Sequence, residues 1–146
     1  MTKTIDAINS LLSGVFYDII KLEENFLKKT KFKDISIKEL RTIDAIGLNK
    51  NRIMSYIAKK LDITVGTLTV SINNLEKKEY VKRKRSEKDK RIVTINLTEK
   101  GEALFKTHKK FKEKIMKQVI LSLSQQEKEI FNGALNRFKL ILDKEI

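Results

Sequence analysis

Apolar residues recur at three- and four-residue steps through most of the chain, and they predict helices before any other property is considered. Ile5, Ile8, Leu12, Val15, Ile19, Leu22 and Phe26 form one stripe of a long amphipathic helix over residues 4–29. Lys28, Lys29, Lys31 and Lys33 mark its end. Ser36-Ile37-Lys38-Glu39 has capping-box spacing, in which the serine and the glutamate satisfy free amides at a helix start. The helix it opens turns Ile37, Leu40, Ile43 and Ile46 inward and ends near Gly47. A third helix, about Arg52 to Lys60, is expected to bury Ile53, Ile57 and Leu61. Asp62-Ile63-Thr64 then makes a turn, with Thr64 as the N-cap of a fourth helix over about 65–78 that buries Val65, Leu68, Ile72 and Leu75.

The period then changes to two. Tyr80 to Arg85 and Arg91 to Leu97 alternate, the latter with Val93, Ile95 and Leu97 on one side of a hairpin whose tip is residues 86–90. Thr98 caps a long helix over about 99–122 with Leu104, His108, Phe111, Ile115 and Val119 on one stripe. Ser124-Gln125-Gln126-Glu127 repeats the capping-box spacing, opening a last helix expected to bury Ile130, Phe131, Leu135, Phe138 and Leu142. The fold class is therefore mainly α with a small β-hairpin: four helices, the hairpin, two helices. The absence of proline and the presence of only five glycines agree with helices and short joints.

At 40% hydrophobic and 35% charged residues, 146 residues suffice for a folded domain with its own core. There is no apolar run of membrane-spanning length, and Met1-Thr2-Lys3-Thr4-Ile5-Asp6 lacks a secretory signal's apolar stretch, so a cytoplasmic protein with no membrane partner is expected. Without cysteine, and with His108 as the single histidine, neither a thiol nucleophile nor a multi-histidine or thiolate metal site can be built. No glycine-rich phosphate loop or pair of carboxylates at a helical joint replaces them, so an enzyme, a metal and a cofactor are all unexpected.

The charge points to a partner. The net value of +13 calls for a polyanion. The excess is spread along the chain, but Lys77 to Arg91 holds nine basic residues against Glu79, Glu87 and Asp89. Two short helices joined by a tight turn and followed by a hairpin is the order of a winged helix-turn-helix, whose second helix lies in the DNA major groove. The outward face of that helix suits the task. Gly66, Thr67, Thr69, Val70, Ser71, Asn73 and Asn74 are small, uncharged or amide-bearing, where a merely solvated face carries Lys and Glu. Their methyls can touch thymine and an asparagine can pair with adenine. With Thr64 and Lys77 at the ends of the helix, and Arg83, Arg85, Lys88, Lys90 and Arg91 on the hairpin, they make up the expected DNA-binding set. Arginine and lysine at a wing tip can enter a narrow minor groove. Asp89 is expected to shape the wing by pairing with a nearby arginine.

These same residues resemble the MarR family of bacterial transcription regulators. The resemblance runs through Ile57-Ala58-Lys59-Lys60-Leu61, Thr67 to Lys78, Tyr80-Val81-Lys82-Arg83, Asp89-Lys90-Arg91 and Leu97-Thr98-Glu99-Lys100-Gly101, and it covers nearly the whole chain. Phe32 to Leu40 and Thr64 to Thr69 are similar to a subgroup that represses type II fatty-acid synthesis in some Gram-positive bacteria. Glu79 departs from the glycine usual after the recognition helix. The resemblance implies a single MarR-type domain over 1–146, with a winged helix-turn-helix DNA-binding lobe at 31–97. Residues 1–30 and 98–146 would form the helical dimerisation lobe of a homodimer reading a pseudo-palindromic operator in double-stranded DNA.

Relatives sense ligands between the lobes, which nominates Ile43, Leu104, His108 and Phe111 as pocket residues; the alternative for His108 is a packed side chain with one hydrogen bond. The subgroup further implies that a long acyl chain on acyl carrier protein strengthens DNA binding. Seven lysines from Lys100 to Lys117, against Glu102 and Glu113, could dock such an acidic partner, or could simply solvate the helix or touch phosphates. Two other readings stay open: a repressor released by a small molecule, and a non-specific architectural DNA-binding protein with a steep salt dependence.

Overall fold

A computed structural model describes all 146 residues. The helices are α1 (Thr2–Lys29), α2 (Ile37–Ile46), α3 (Met54–Leu61), α4 (Val65–Lys77), α5 (Glu99–Leu121) and α6 (Gln125–Glu145). The strands are β1 (Arg52–Ile53), β2 (Val81–Arg85) and β3 (Val93–Leu97), in the antiparallel order β1-β3-β2. The chain divides into two compact units, Met1–Thr107 and His108–Ile146, so the expected lobe junction at 97/98 falls inside the first.

Both capping boxes form as the four-residue spacing predicts. Ser36 accepts from the Glu39 amide while the Glu39 carboxylate accepts from the Ser36 amide, and Ser124 and Glu127 repeat the exchange. These hydrogen bonds, the Ser124 amide first and its side chain second, hold the Glu127 carboxyl below its usual range. Gly47 ends α2 at φ 63° and ψ −168°, a conformation essentially confined to glycine.

The first unit has one core. Leu40, Ile43 and Ile46 of α2, Ile57 of α3, Leu68, Ile72 and Leu75 of α4, Tyr80 and Ile95 meet in it, all buried. Because β3 is the central strand, Thr94 and Asn96 on its other face are buried as well. Tyr80 anchors the junction after α4. Its hydroxyl donates to Asp34 Oδ1 at 2.7 Å, and Lys100 Nζ sits 4.3 Å from its ring. Burial, and then the Asp34 hydrogen bond, push the phenol pKa upward, so it stays neutral.

Three expectations from periodicity are corrected. Arg52 and Ile53 form a strand, not the start of α3, because they pair with Ile95 and Thr94; Ile53 is consequently exposed. Val65, in the first turn of α4, also faces out. The stripes of α1 and α6 are uncovered within one chain: Ile5, Ile8, Val15, Ile19 and Leu22 on α1, and Ile130, Phe131, Leu135, Phe138 and Leu142 on α6, are all exposed.

α4 ends in a Schellman motif: the Tyr80 amide donates to Leu75 O at 2.9 Å and the Glu79 amide to Glu76 O at 3.0 Å. Glu79 itself is left-handed, at φ 66°. A side chain there costs roughly 1 kcal/mol that glycine avoids. Replacing Glu79 by glycine is therefore expected to raise the unfolding free energy by about 0.5 kcal/mol, after the greater chain entropy of glycine is subtracted. A urea midpoint that falls in the variant would contradict this.

Candidate nucleic-acid interface

The turn between α3 and α4 sets the outward face of α4. Asp62 takes the left-handed conformation (φ 53°), and its amide and that of Ile63 close α3 by donating to Lys59 O and Ala58 O. Thr64 then caps α4, accepting from the Thr67 amide at 3.1 Å. With Leu68, Ile72 and Leu75 pinned in the core, the 100° step leaves Gly66, Thr67, Val70, Asn73, Asn74 and Lys77 exposed. Val70, an apolar side chain 61% exposed, stands in the middle of this strip.

Several expected site residues are already engaged. Ser71 is half-buried and shares a 3.0 Å hydrogen bond with the Thr42 hydroxyl of α2, and Thr69 donates to Val65 O. Arg83 turns back onto α4, donating to Glu76 Oε1 at 2.6 Å and to Asn73 Oδ1 at 2.5 Å. That fork ties β2 to α4 and occupies the carbonyl of Asn73. Asn74, Lys77, Arg85, Lys88 and Lys90 are exposed and have no such partner.

The wing tip is ordered by Asp89. Its carboxylate accepts from the Arg91 amide at 3.0 Å, from Arg91 Nε at 3.1 Å and from Arg91 Nη2 at 3.1 Å. Its carbonyl accepts the Ile92 amide, and Ser86 closes the loop with a 2.8 Å bond from its amide to Ile92 O. The Arg91 side chain, followed by its backbone amide, holds the Asp89 carboxyl below the ordinary range. Asp89 is thus joined to Arg91 through both its backbone and its guanidinium.

Two clefts border this surface. One, of about 900 Å³, lies between α2 and α4, with Lys38, Arg41 and Thr42 on one wall and Thr67, Val70 and Asn74 on the other; Lys60 and Ile63 also line it. The other, about 290 Å³, lies at the base of the wing against Asn51, Lys84, Arg85 and Lys88. Lys38, Lys60 and Asn51 lie outside the sequence-derived site, because only folding brings them beside α4 and the wing; Lys84, also outside it, belongs to the wing strand β2 itself. Asn51 is left-handed (φ 61°) and donates its amide to Asn96 Oδ1 at 2.8 Å, which seats β1 against β3.

Of the nominated pocket residues, Ile43 and Leu104 belong to the core, and His108 is fully buried with its ring stacked 6.3 Å from that of Phe111. None of the four lines either cleft. No grouping of acidic and histidine side chains suited to a metal occurs, and no helix is long and apolar enough to cross a membrane.

Comparison with known proteins places the chain. A family model described as transcriptional regulator SarA/Rot matches residues 25–108. The transcriptional regulator SarZ of Staphylococcus aureus is 30% identical over 133 residues, covering 88% of this chain and 87% of that protein. YdgJ of Bacillus subtilis, an HTH-type regulator, is 32% identical over 85 residues, about half its own length (52%). The crystal structure of Streptococcus pneumoniae FabT in complex with DNA matches with a TM-score of 0.93 and 37% identity, over 97% of this chain and 99% of that one. A MarR family protein of Bacillus stearothermophilus, at 18% identity and a TM-score of 0.80, shares the fold. These relatives are regulators, not enzymes. The chain belongs to the SarA/Rot family and is a DNA-binding transcriptional regulator of the MarR/SarA type.

Proposed function

We propose that this regulator is a sequence-specific repressor of fatty-acid synthesis genes. In this reading it binds a pseudo-palindromic operator as a homodimer, and a long acyl chain carried on acyl carrier protein strengthens that binding. The likeness to FabT bound to DNA carries the reading, joined to the fatty-acid-synthesis subgroup that Phe32 to Leu40 and Thr64 to Thr69 resemble. Residues 31–97 act as the DNA-binding lobe. α4 reads bases through Gly66, Thr67, Val70 and Asn74, with Thr64, Thr69, Ser71, Asn73 and Lys77 around them, while Arg83, Arg85, Lys88, Lys90 and Arg91 serve the wing. Residues 1–30 and 98–146 pair the two copies, supported by the uncovered apolar stripes on α1 and α6. The pseudo-two-fold operator follows from two-fold symmetry.

On α5, Lys106 pairs with Glu102 and Lys109 with Glu113. Lys110, Lys114 and Lys117 continue the row begun by Lys106, at four- and three-residue steps, and are exposed. That face is the docking surface for the acidic carrier.

The test is a gel-shift titration with DNA from upstream of fatty-acid synthesis genes and with random DNA. Val70→Ala and Asn74→Ala should each weaken operator binding about tenfold and leave random DNA almost unaffected; Lys88→Gln should weaken both. Equal losses on both DNAs for all three variants would favour a non-specific architectural protein. Long-chain acyl carrier protein should tighten the operator complex, and Lys110, Lys114 and Lys117 changed together to glutamine should abolish that effect. Unchanged operator affinity on adding the acylated carrier would remove the corepressor.

A further inference from the structure

The wing supplies cations on one side of α4 only. Arg83 fastens β2 to that side, through Glu76 and Asn73. A B-DNA major groove is about 12 Å wide, little more than a helix with its side chains, so a helix seated in it has a phosphate strand along each flank. On the flank away from the wing, α4 meets α2 through the Ser71–Thr42 hydrogen bond, and beside that bond the 900 Å³ cleft opens.

The charges in the cleft divide into two kinds. Arg41 is held by Glu23, with Nη1–Oε1 at 2.9 Å and Nη2–Oε2 at 2.5 Å. Lys78 is held by Glu39 at 2.9 Å and by Asp34 O. Both pairs are internally neutral. Lys38 on α2 and Lys60 on α3 line the same cleft, are exposed, and have no ion-pair partner. They are the cleft's uncompensated charge.

We propose that the cleft between α2 and α4 seats the sugar–phosphate strand opposite the wing, with Lys38 and Lys60 as its phosphate-binding residues. The inference rests on the reading of α4 as the major-groove helix, and it adds a second grip. Each recognition helix is then held between two strands, by the wing on one flank and by these lysines on the other. Such contacts fix register without reading sequence. Leu61, Ile63 and Val70 give the cleft apolar walls that can pack against deoxyribose.

Phosphate-ethylation interference on the operator, with the intact protein, tests this directly. The wild-type protein should show interference on both strands flanking each half-site's major groove. Lys38→Gln combined with Lys60→Gln should erase the signal on the flank away from the wing and keep the other. The same double variant should bind operator and random DNA about tenfold more weakly. Its slope of log affinity against log salt should fall by roughly two, near 0.9 for each phosphate released. Interference confined to the wing-side strand in the wild type, or an unchanged salt slope in the double variant while Lys88→Gln lowers it, would overturn the inference. Absence of DNA binding by the wild-type protein would instead strike the reading of α4 itself. Circular dichroism checks folding, and a misfolded double variant leaves the wild-type footprint to decide.

Discussion

Replacing Gly101 by alanine should destabilise the protein by about 3 kcal/mol or more, the largest effect expected of a methyl added at any of its glycines. A Cβ at Gly101 would lie 2.1 Å from the carbonyl oxygen of Tyr80, 3.1 Å from its carbonyl carbon and 3.2 Å from Leu97 Cβ. The first of these is far inside any contact distance, and its partner is backbone. That backbone cannot step aside. Tyr80 O accepts the Thr98 amide at 3.0 Å, its N–H closes the Schellman motif of α4, and its ring is fully buried. Gly101 is also held, its amide donating to Thr98 Oγ1 at 3.1 Å. Relief therefore requires α5 to withdraw from the winged part of the chain, breaking several of these bonds together. Against a typical total of 5–15 kcal/mol, the loss should lower the melting temperature by roughly 10 °C. Gly133→Ala is the matched control. It lies in α6 with nothing within 4 Å of an added Cβ, and alanine there should be neutral or stabilising by up to about 1 kcal/mol. If both variants melted with the wild type, the close approach at Gly101 would carry no energetic weight.

That glycine also marks where sequence reading stops. Both capping boxes were legible because each is complete within four residues, and the buried set of α4 was legible because its spacing is helical. The constraint on Gly101 comes from Tyr80, a residue in another element, and nothing local announces it. The two-residue strand Arg52–Ile53 was missed for the same kind of reason. It is too short to show a period, and it exists because β3 offers an edge and Asn96 ties down Asn51. In the candidate site, the uncharged strip along α4 followed from composition and the 100° step. The engagement of Arg83 with α4 and of Ser71 with Thr42 depends on which elements become neighbours, as does the cleft lined by Lys38 and Lys60. The surface chemistry of one helix was therefore readable, while its connections to the elements on either side were not.

Asp89→Ala should weaken operator binding about tenfold, although the change removes a negative charge from a basic wing. Charge counting alone gives the opposite sign, since a carboxylate among Lys88, Lys90 and Arg91 opposes the approach of phosphate. The geometry of the tip decides against it. Asp89 receives three hydrogen bonds from Arg91, one from the backbone and two from the guanidinium, and its carbonyl receives the Ile92 amide. These bonds set the loop and the direction of an arginine side chain that is otherwise 91% exposed. Without them Arg91 enters the complex from many rotamers, and the entropy of ordering it counts against binding. Fluorescence anisotropy on operator DNA measures the change. The salt slope should stay the same or steepen slightly while the affinity falls, because the charge count rises as the shape is lost. pH supplies a further check. The Asp89 carboxyl is held below its usual range, so the ordered tip persists above the ordinary carboxylate pKa and is lost only as pH falls through the depressed one. The ratio of wild-type to variant affinity should therefore be flat from pH 6 to pH 8, and a variant that bound more tightly than the wild type would show that charge, not shape, governs the wing.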